Sequence, residues 1–160
     1  MKHTALLLLA LISYSQTFML EKKKLGETQT VTDWEACGGG SYMRINSITV
    51  DKTLIPAEQA QGLAMWDITY HINGTAKHDV HFNQVNVDIK FEGALNWKAQ
   101  DIVNLHDNYG PGEDLTYNIN RQYHEWVFGP GSYLVQMDFL DYSYSHAIHQ
   151  EACYKFHFTI

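Results

Sequence analysis

Along most of the chain, apolar residues fall on alternate positions. Trp66, Ile68, Tyr70 and Ile72 do so in "LAMWDITYHI" (63–72), and Val85, Val87, Ile89 and Phe91 do so in "HFNQVNVDIKFEG" (81–93). A period of two sends one set of side chains to each face of a strand. "YMRINSITV" (42–50) has the same alternation with a break in parity between Ile45 and Ile48, as a bulge gives. "LTYNI" (115–119) sets Leu115, Tyr117 and Ile119 on one face, and "YHEWVF" (123–128) reads as a further strand ended by "GPGS". "YLVQMDFL" (133–140) and "ACYKFHFTI" (152–160) complete the series. "ALNWKAQDIVNL" (94–105) is less regular, with Leu95 and Trp97 on one parity and Ile102, Val103 and Leu105 clustered after them. Between these runs lie turn signals: "LIPAEQAQG" (54–62), the hairpin signal "NGT" (73–75), and "HDNYGPGED" (106–114), a loop by composition. No stretch sustains a helical period. Seven or eight strands with turns between them predict an all-β chain, an antiparallel β-sandwich.

The first residues change where such a sandwich would work. Met1-Lys2-His3 is a short basic start, "ALLLLALI" (5–12) is apolar throughout, and Ser13 and Ser15 precede Gln16 at cleavage-site spacing. That layout predicts a signal peptide over 1–15, a polar leader over 16–32 and a folded domain over 33–160. The apolar run is well short of the roughly 20 residues of a spanning helix. In the oxidising compartment this implies, the two cysteines, Cys37 and Cys153, most simply form one disulfide; two separate buried thiols are the alternative.

The formal net charge of −7 argues against a nucleic-acid partner, which is gripped with Lys and Arg. The "EKKK" at 21–24 is the one basic cluster in the sequence and reads as a solvated leader. His78-x-x-His81 and His146-x-x-His149 lack a patterned third ligand, so no metal is expected. "DNYGPGED" lacks the ordered ligands of a calcium loop. No Gly-x-Ser-x-Gly elbow or His-Glu-x-x-His motif occurs, and with both cysteines bridged no thiol nucleophile remains, so the chain is not expected to be an enzyme and no cofactor is implied. Asn73 in "NGT" is a glycosylation acceptor in a secreted chain. Nine histidines, of which His3 leaves with the signal peptide, would bring the charge close to zero on protonation.

Several motifs share one order. Trp34, Cys37 and Gly38 precede an Ile-x-x-Ile-x-Val strand (Ile45, Ile48, Val50); "GPGEDLTY", "GSYLVQMDFLD" and a final strand opened by Cys153 follow. This order resembles the ML family of secreted lipid-recognition proteins, in style nearest to its Niemann–Pick type C sterol carriers and its phosphatidylglycerol/phosphatidylinositol transfer proteins. The resemblance covers about residues 33–160. It implies an immunoglobulin-like sandwich with a lipid cavity between its sheets, and an outer bridge from first strand to last, Cys37 to Cys153. The family's second bridge is missing: Leu105, His106 and Gly110 stand where its cysteines would be expected. The implied lining residues are Phe91, Leu95, Trp97, Val103, Tyr117, Trp126, Val135, Met137 and Phe156. The implied partners are a sterol, phospholipid or glycolipid and a transient membrane surface. The implied protein is a monomer, secreted or in the endolysosomal lumen. The residues alone allow another reading, an immunoglobulin-like extracellular module for protein or glycan with a solid core, because every sandwich places alternating apolar residues inside.

Overall fold

In the computed structural model, which describes residues 26–38, 42–93, 98–142 and 148–160, the alternating runs become strands. They are β1 (Glu27–Val31), β2 (Trp34–Ala36), β3 (Met43–Ile55), β4 (Met65–Ala76), β5 (Val80–Phe91), β6 (Lys98–Tyr109), β7 (Asp114–His124), β8 (Ser132–Asp141) and β9 (His149–Thr159). One sheet has the order β1-β3-β4-β7 and the other β2-β9-β8-β5-β6, with antiparallel pairing throughout. Their apolar faces meet in one core, with Tyr70, Ile72 and Ile48 from the first sheet and Phe82, Phe139, Phe156 and Phe158 from the second. The chain is an antiparallel β-sandwich. The expected bulge in β3 is present, as a register shift between Ile45 and Ser47.

Four expectations change. The polar leader contains a strand, since β1 pairs with β3 from Glu27↔Lys52 to Val31↔Ile48; its one buried residue, Val31, is too little apolar signal to reveal it. "NGT" is not a hairpin turn: Asn73 and Gly74 lie inside β4, opposite Ser47 and Ile45 on one side and Thr116 and Leu115 on the other. Gly74 is needed there for space, because a Cβ would stand 2.8 Å from both the Arg44 carbonyl oxygen and Leu115 Cδ1. His106–Tyr109 belong to β6 rather than to a loop, and β7 runs unbroken to His124 with a turn, not a strand, after it. The signal-peptide region, Leu95 and Trp97 lie outside the described residues.

Cys37 and Cys153 form a disulfide with a Cα–Cα distance of 5.0 Å across a sequence separation of 116. It joins the residue after β2 to the neighbouring β9, and the Cys37 amide donates to the Cys153 carbonyl at 3.0 Å. The bridge therefore fastens the second, three-residue strand to the last, because β1 precedes it in the other sheet.

Polar ties close the β1/β9 side of the sandwich. Lys52 has inward parity on β3 and is only 3% exposed. Its Nζ donates to the Thr159 carbonyl at 2.6 Å and lies 3.5 Å from Glu27 Oε1. Gln29 Oε1 accepts from the Thr159 amide at 3.0 Å. A buried ammonium is tolerated when it is paired in this way.

The outer face of the first sheet carries cross-strand hydrogen bonds in rows. In one row His71 Nε2 meets Asp51 Oδ2 at 2.9 Å and His71 Nδ1 meets Asn118 Oδ1 at 2.6 Å, while Thr28 Oγ1 donates to Asp51 at 2.6 Å. Acceptors on both ring nitrogens favour the imidazolium. The Asn118 hydrogen bond is the largest cause raising the His71 pKa, and the Thr28 hydrogen bond is the largest lowering that of Asp51. A raised histidine pKa gives stability that is complete below the ordinary imidazole range and lost as pH rises through the folded value. A lowered aspartate gives stability that is complete above the ordinary carboxylate range. The row thus stabilises most between those two ranges. In urea unfolding, His71→Gln is expected to cost more at mildly acidic than at alkaline pH; an equal cost at both would show that the row carries no charge.

Candidate functional site

Consecutive strands β6 and β7 are joined by a short turn, yet they are edge strands of different sheets and share no ladder. Along this side the sandwich is closed by side chains alone. The turn is anchored to the end of β4, with Ala76 N donating to Glu113 O at 2.9 Å and Gly112 N to Ala76 O at 2.8 Å. Gly110, where the ML pattern expects a bridge, instead donates its amide to Glu113 Oε2 at 2.8 Å.

The inward positions of β6 are Ala99, Asp101, Val103, Leu105, Asp107 and Tyr109, and all are half-buried. Opposite them on β7 stand Leu115, Tyr117, Ile119 and Tyr123, which are buried, and Arg121, which is half-buried. Two polar clusters bracket the apolar middle. At the β6 start, the Tyr123 hydroxyl donates to Asp101 Oδ2 at 2.7 Å, with Arg121 Nε 3.7 Å from the same oxygen. At the β6 end, Tyr109 and Tyr117 meet edge to face at 6.3 Å, next to Asp107. Val103 and Leu105 lie between the clusters and pack against the core.

Behind this seam the hydroxyls of Tyr70 and Tyr117 are buried and make no hydrogen bond of good geometry among the described residues, although Tyr123 neighbours the first and Tyr109 and Asp107 the second. Burial is the main cause pushing both pKa values far above the phenol range, so both remain neutral O–H groups. Tyr123, hydrogen-bonded to Asp101, is raised for the same first reason. An unmade hydrogen bond on a buried group costs about 1–3 kcal/mol. Two such groups facing one seam can recognise a polar atom on an otherwise apolar molecule.

Of the residues expected to line a cavity, Val103 lies at the seam and Tyr117 directly behind it. Val135, Met137 and Phe156 are fully buried in the same inter-sheet layer. Phe91 is half-buried at the end of β5, with its ring 5.2 Å from Tyr133 and wedged where a Cβ on Gly93 or Gly131 would strike it. Trp126 does not line the interior: it is 76% exposed on the turn after β7, because the strand ends at His124 and the parity of "YHEWVF" ends with it. The layer is packed with rings, Phe82 to Phe139 at 5.2 Å and Tyr117 to Phe139 at 5.3 Å. Hollows of about 250 and 140 Å³ lie on the outer face of the second sheet. Asp101, Tyr123 and Arg121 were not anticipated. Their signal is present in the sequence, as polar and charged residues in step with Val103 and Leu105, and with Tyr117 and Ile119.

The fold and seam define an extended two-sheet sandwich closed on one side by side chains. No protein-family model matches the chain, and no curated protein matches it.

Proposed function

We propose that the protein binds and carries a lipid, a sterol or a phospholipid, between its two sheets, working as a secreted or lumenal glycoprotein with Asn73 on the exposed face of β4 as the glycan acceptor. The observation that carries this reading is the seam: edge strands without a ladder between them, with half-buried Val103 and Leu105 packed along it and two buried tyrosine hydroxyls behind it. The β1/β9 side is tied by Lys52 and Gln29, and lipid entry on the other side would have to break the Tyr123–Asp101 hydrogen bond and the contacts of Arg121 with Asp101 and the Ile102 carbonyl. Each lipid CH₂ entering the layer contributes about 0.8 kcal/mol. The dense packing of Phe82, Tyr117 and Phe139 supports a second reading, an immunoglobulin-like module with a solid core that binds a protein or glycan partner.

Mass spectrometry of solvent extracts separates the two, with a stoichiometric co-purifying lipid expected for the carrier. Tyr70→Phe and Tyr117→Phe sharpen the assignment. Each removes a buried hydroxyl that makes no hydrogen bond of good geometry, so stability is expected to hold or rise slightly, while uptake of a fluorescent sterol or phospholipid from vesicles falls by up to about tenfold per hydroxyl. No bound lipid and no uptake by the parent protein would leave the module reading standing.

A further inference from the structure

The disulfide lies away from the seam, on the outer face of the second sheet, and it has a charged neighbour. Asp138 on β8 stands directly opposite Cys153 on β9, with Asn86 of β5 on its other side. Asp138 alternates with the buried Met137 and Phe139, so its side chain leaves the sheet on the outer face, where it is half-buried. One of its carboxylate oxygens and the sulfurs of Cys37 and Cys153 all lie within 4.8 Å of one another. Among the described residues, no other three histidine, cysteine or acidic side chains bring their ligand atoms so close together.

The carboxylate is held in place. Gln136 Nε2 donates to Asp138 Oδ2 at 2.9 Å, and Gln150 Nε2 donates to Oδ1. Hydrogen bonds of this kind orient a ligating carboxylate and tune its affinity. Asp138 forms no ion pair among the described residues. In the bridged state the sulfurs carry no charge and offer the carboxylate nothing. In the reduced state a deprotonated pair would set two more anions beside it, and charges this close repel strongly. A divalent cation among the three turns that repulsion into attraction. Glu35 and Glu151, two residues before Cys37 and Cys153, add to the negative potential, while Lys155 faces Glu35 across the β2–β9 ladder. Two thiolates and a carboxylate are donors that Zn²⁺ takes, at about 2.3 Å from sulfur and about 2.0–2.2 Å from oxygen. A tetrahedral ion needs the sulfurs roughly 3.8 Å apart rather than bonded. Cys153 is fixed within the β8–β9 ladder, whereas Cys37 only follows a three-residue strand, so the shift falls on Cys37.

We propose that Cys37, Cys153 and Asp138 bind a zinc ion once the bridge is reduced, with water at the fourth position. A dithiol reductant supplies two electrons and two protons, opens the S–S bond to two thiols and leaves as its own disulfide. Zn²⁺ then takes the place of the two thiol protons, which pass to solvent. The clasp between β2 and β9 therefore has two exclusive forms, covalent when oxidised and metal-held when reduced. The cysteines are 116 residues apart in sequence, so no spacing motif marks the site. The site uses none of the seam residues and is independent of the carrier reading.

Anaerobic titration of the full chain with Co²⁺ and then Zn²⁺ tests it, after reduction with a phosphine, which leaves no thiol to compete for metal. The reduced protein is expected to show thiolate-to-cobalt charge-transfer absorption at one Co²⁺ per chain, displaced by Zn²⁺; the bridged protein is expected to show none. Asp138→Asn removes a ligand and is expected to weaken Zn²⁺ binding by about 100-fold, and Gln150→Ala, which frees that ligand, by about tenfold. Cys37→Ser with Cys153→Ser should abolish the absorption. Zn²⁺ should also raise the urea midpoint of the reduced parent and leave that of the double-serine variant unchanged. Near-ultraviolet circular dichroism of each protein checks that the fold is kept. Three results would each overturn the proposal: no cobalt–thiolate band in the reduced parent, zinc bound as tightly by Asp138→Asn as by the parent, or equal stabilisation of the double-serine variant, which would move the metal to the histidines. Lipid uptake by the bridged protein bears on the carrier reading alone, so either proposal can fail while the other stands.

Discussion

Replacing Cys37 and Cys153 together by serine is expected to lower the unfolding free energy by about 3–5 kcal/mol. The reason is topological. The bridge spans 116 residues of sequence, so the unfolded chain that lacks it gains the freedom of a long loop. In the folded state the change is local, because β2 has only three residues and pairs with β9 alone. The β3–β4–β7 ladders and the β5–β8 ladder do not touch the bridge. Urea unfolding should therefore show a shifted midpoint with the native spectrum retained, and a thermal midpoint lower by roughly 10 °C. Reduction of the parent protein should reproduce the same loss. A double-serine variant as stable as the parent would mean that the bridge constrains nothing beyond the β2–β9 hydrogen bonds. Lipid selectivity, where the carrier reading holds, should be untouched, because neither sulfur approaches the seam.

The central ladders were legible because both determinants of a half-buried strand, period and apolar content, coincide there. β4, β5, β8 and β9 announce themselves through Ile68-Tyr70-Ile72, Val85-Val87-Ile89, Val135-Met137-Phe139 and Phe156-Phe158. Strands with a weak apolar face were harder. β1 exposes or half-exposes all but Val31, and β6 buries none of its side chains fully, so its last turn-like residues read as loop. The glycine of "NGT" carries two meanings that sequence cannot separate, a turn residue and a residue that admits close packing. The ladder geometry around Gly74 selects the second. The site was half legible for a related reason. Of the lining residues that the resemblance implies, Tyr117, Val135, Met137 and Phe156 lie in the inter-sheet layer and Val103 at the seam, but a rule that searches for apolar residues passes over Asp101 and Arg121 at the same parity. Trp126 misled because it is aromatic and follows a strand, whereas the turn hydrogen bonds to His124 reverse the chain before it can face inward.

Phe139→Ala is expected to decide between the carrier and the solid-core module. Phe139 is fully buried on β8, with ring contacts to Phe82 at 5.2 Å and Tyr117 at 5.3 Å. Removing the ring should cost about 3–5 kcal/mol, the transfer term plus the void left behind. In a module with a solid core the loss is the whole outcome, and added lipid returns none of it. In a carrier, the void lies behind the seam, beside the Tyr117 hydroxyl, in the layer the lipid enters. A lipid that binds the folded state alone then restores stability, by about 2.7 kcal/mol at a free concentration of 100 Kd. The ligand must be long for the outcome to discriminate, since a dry, Phe-sized void in any core admits a small apolar molecule. A sterol or a two-chain phospholipid does not fit a void of that size and requires β6 to part from β7. Restoration by such a lipid, and its loss when a disulfide engineered between β6 and β7 holds the seam shut, is the expected result. Destabilisation that no lipid reverses would place the apolar layer with ordinary packed cores and return the search for a partner to the outer faces and connections.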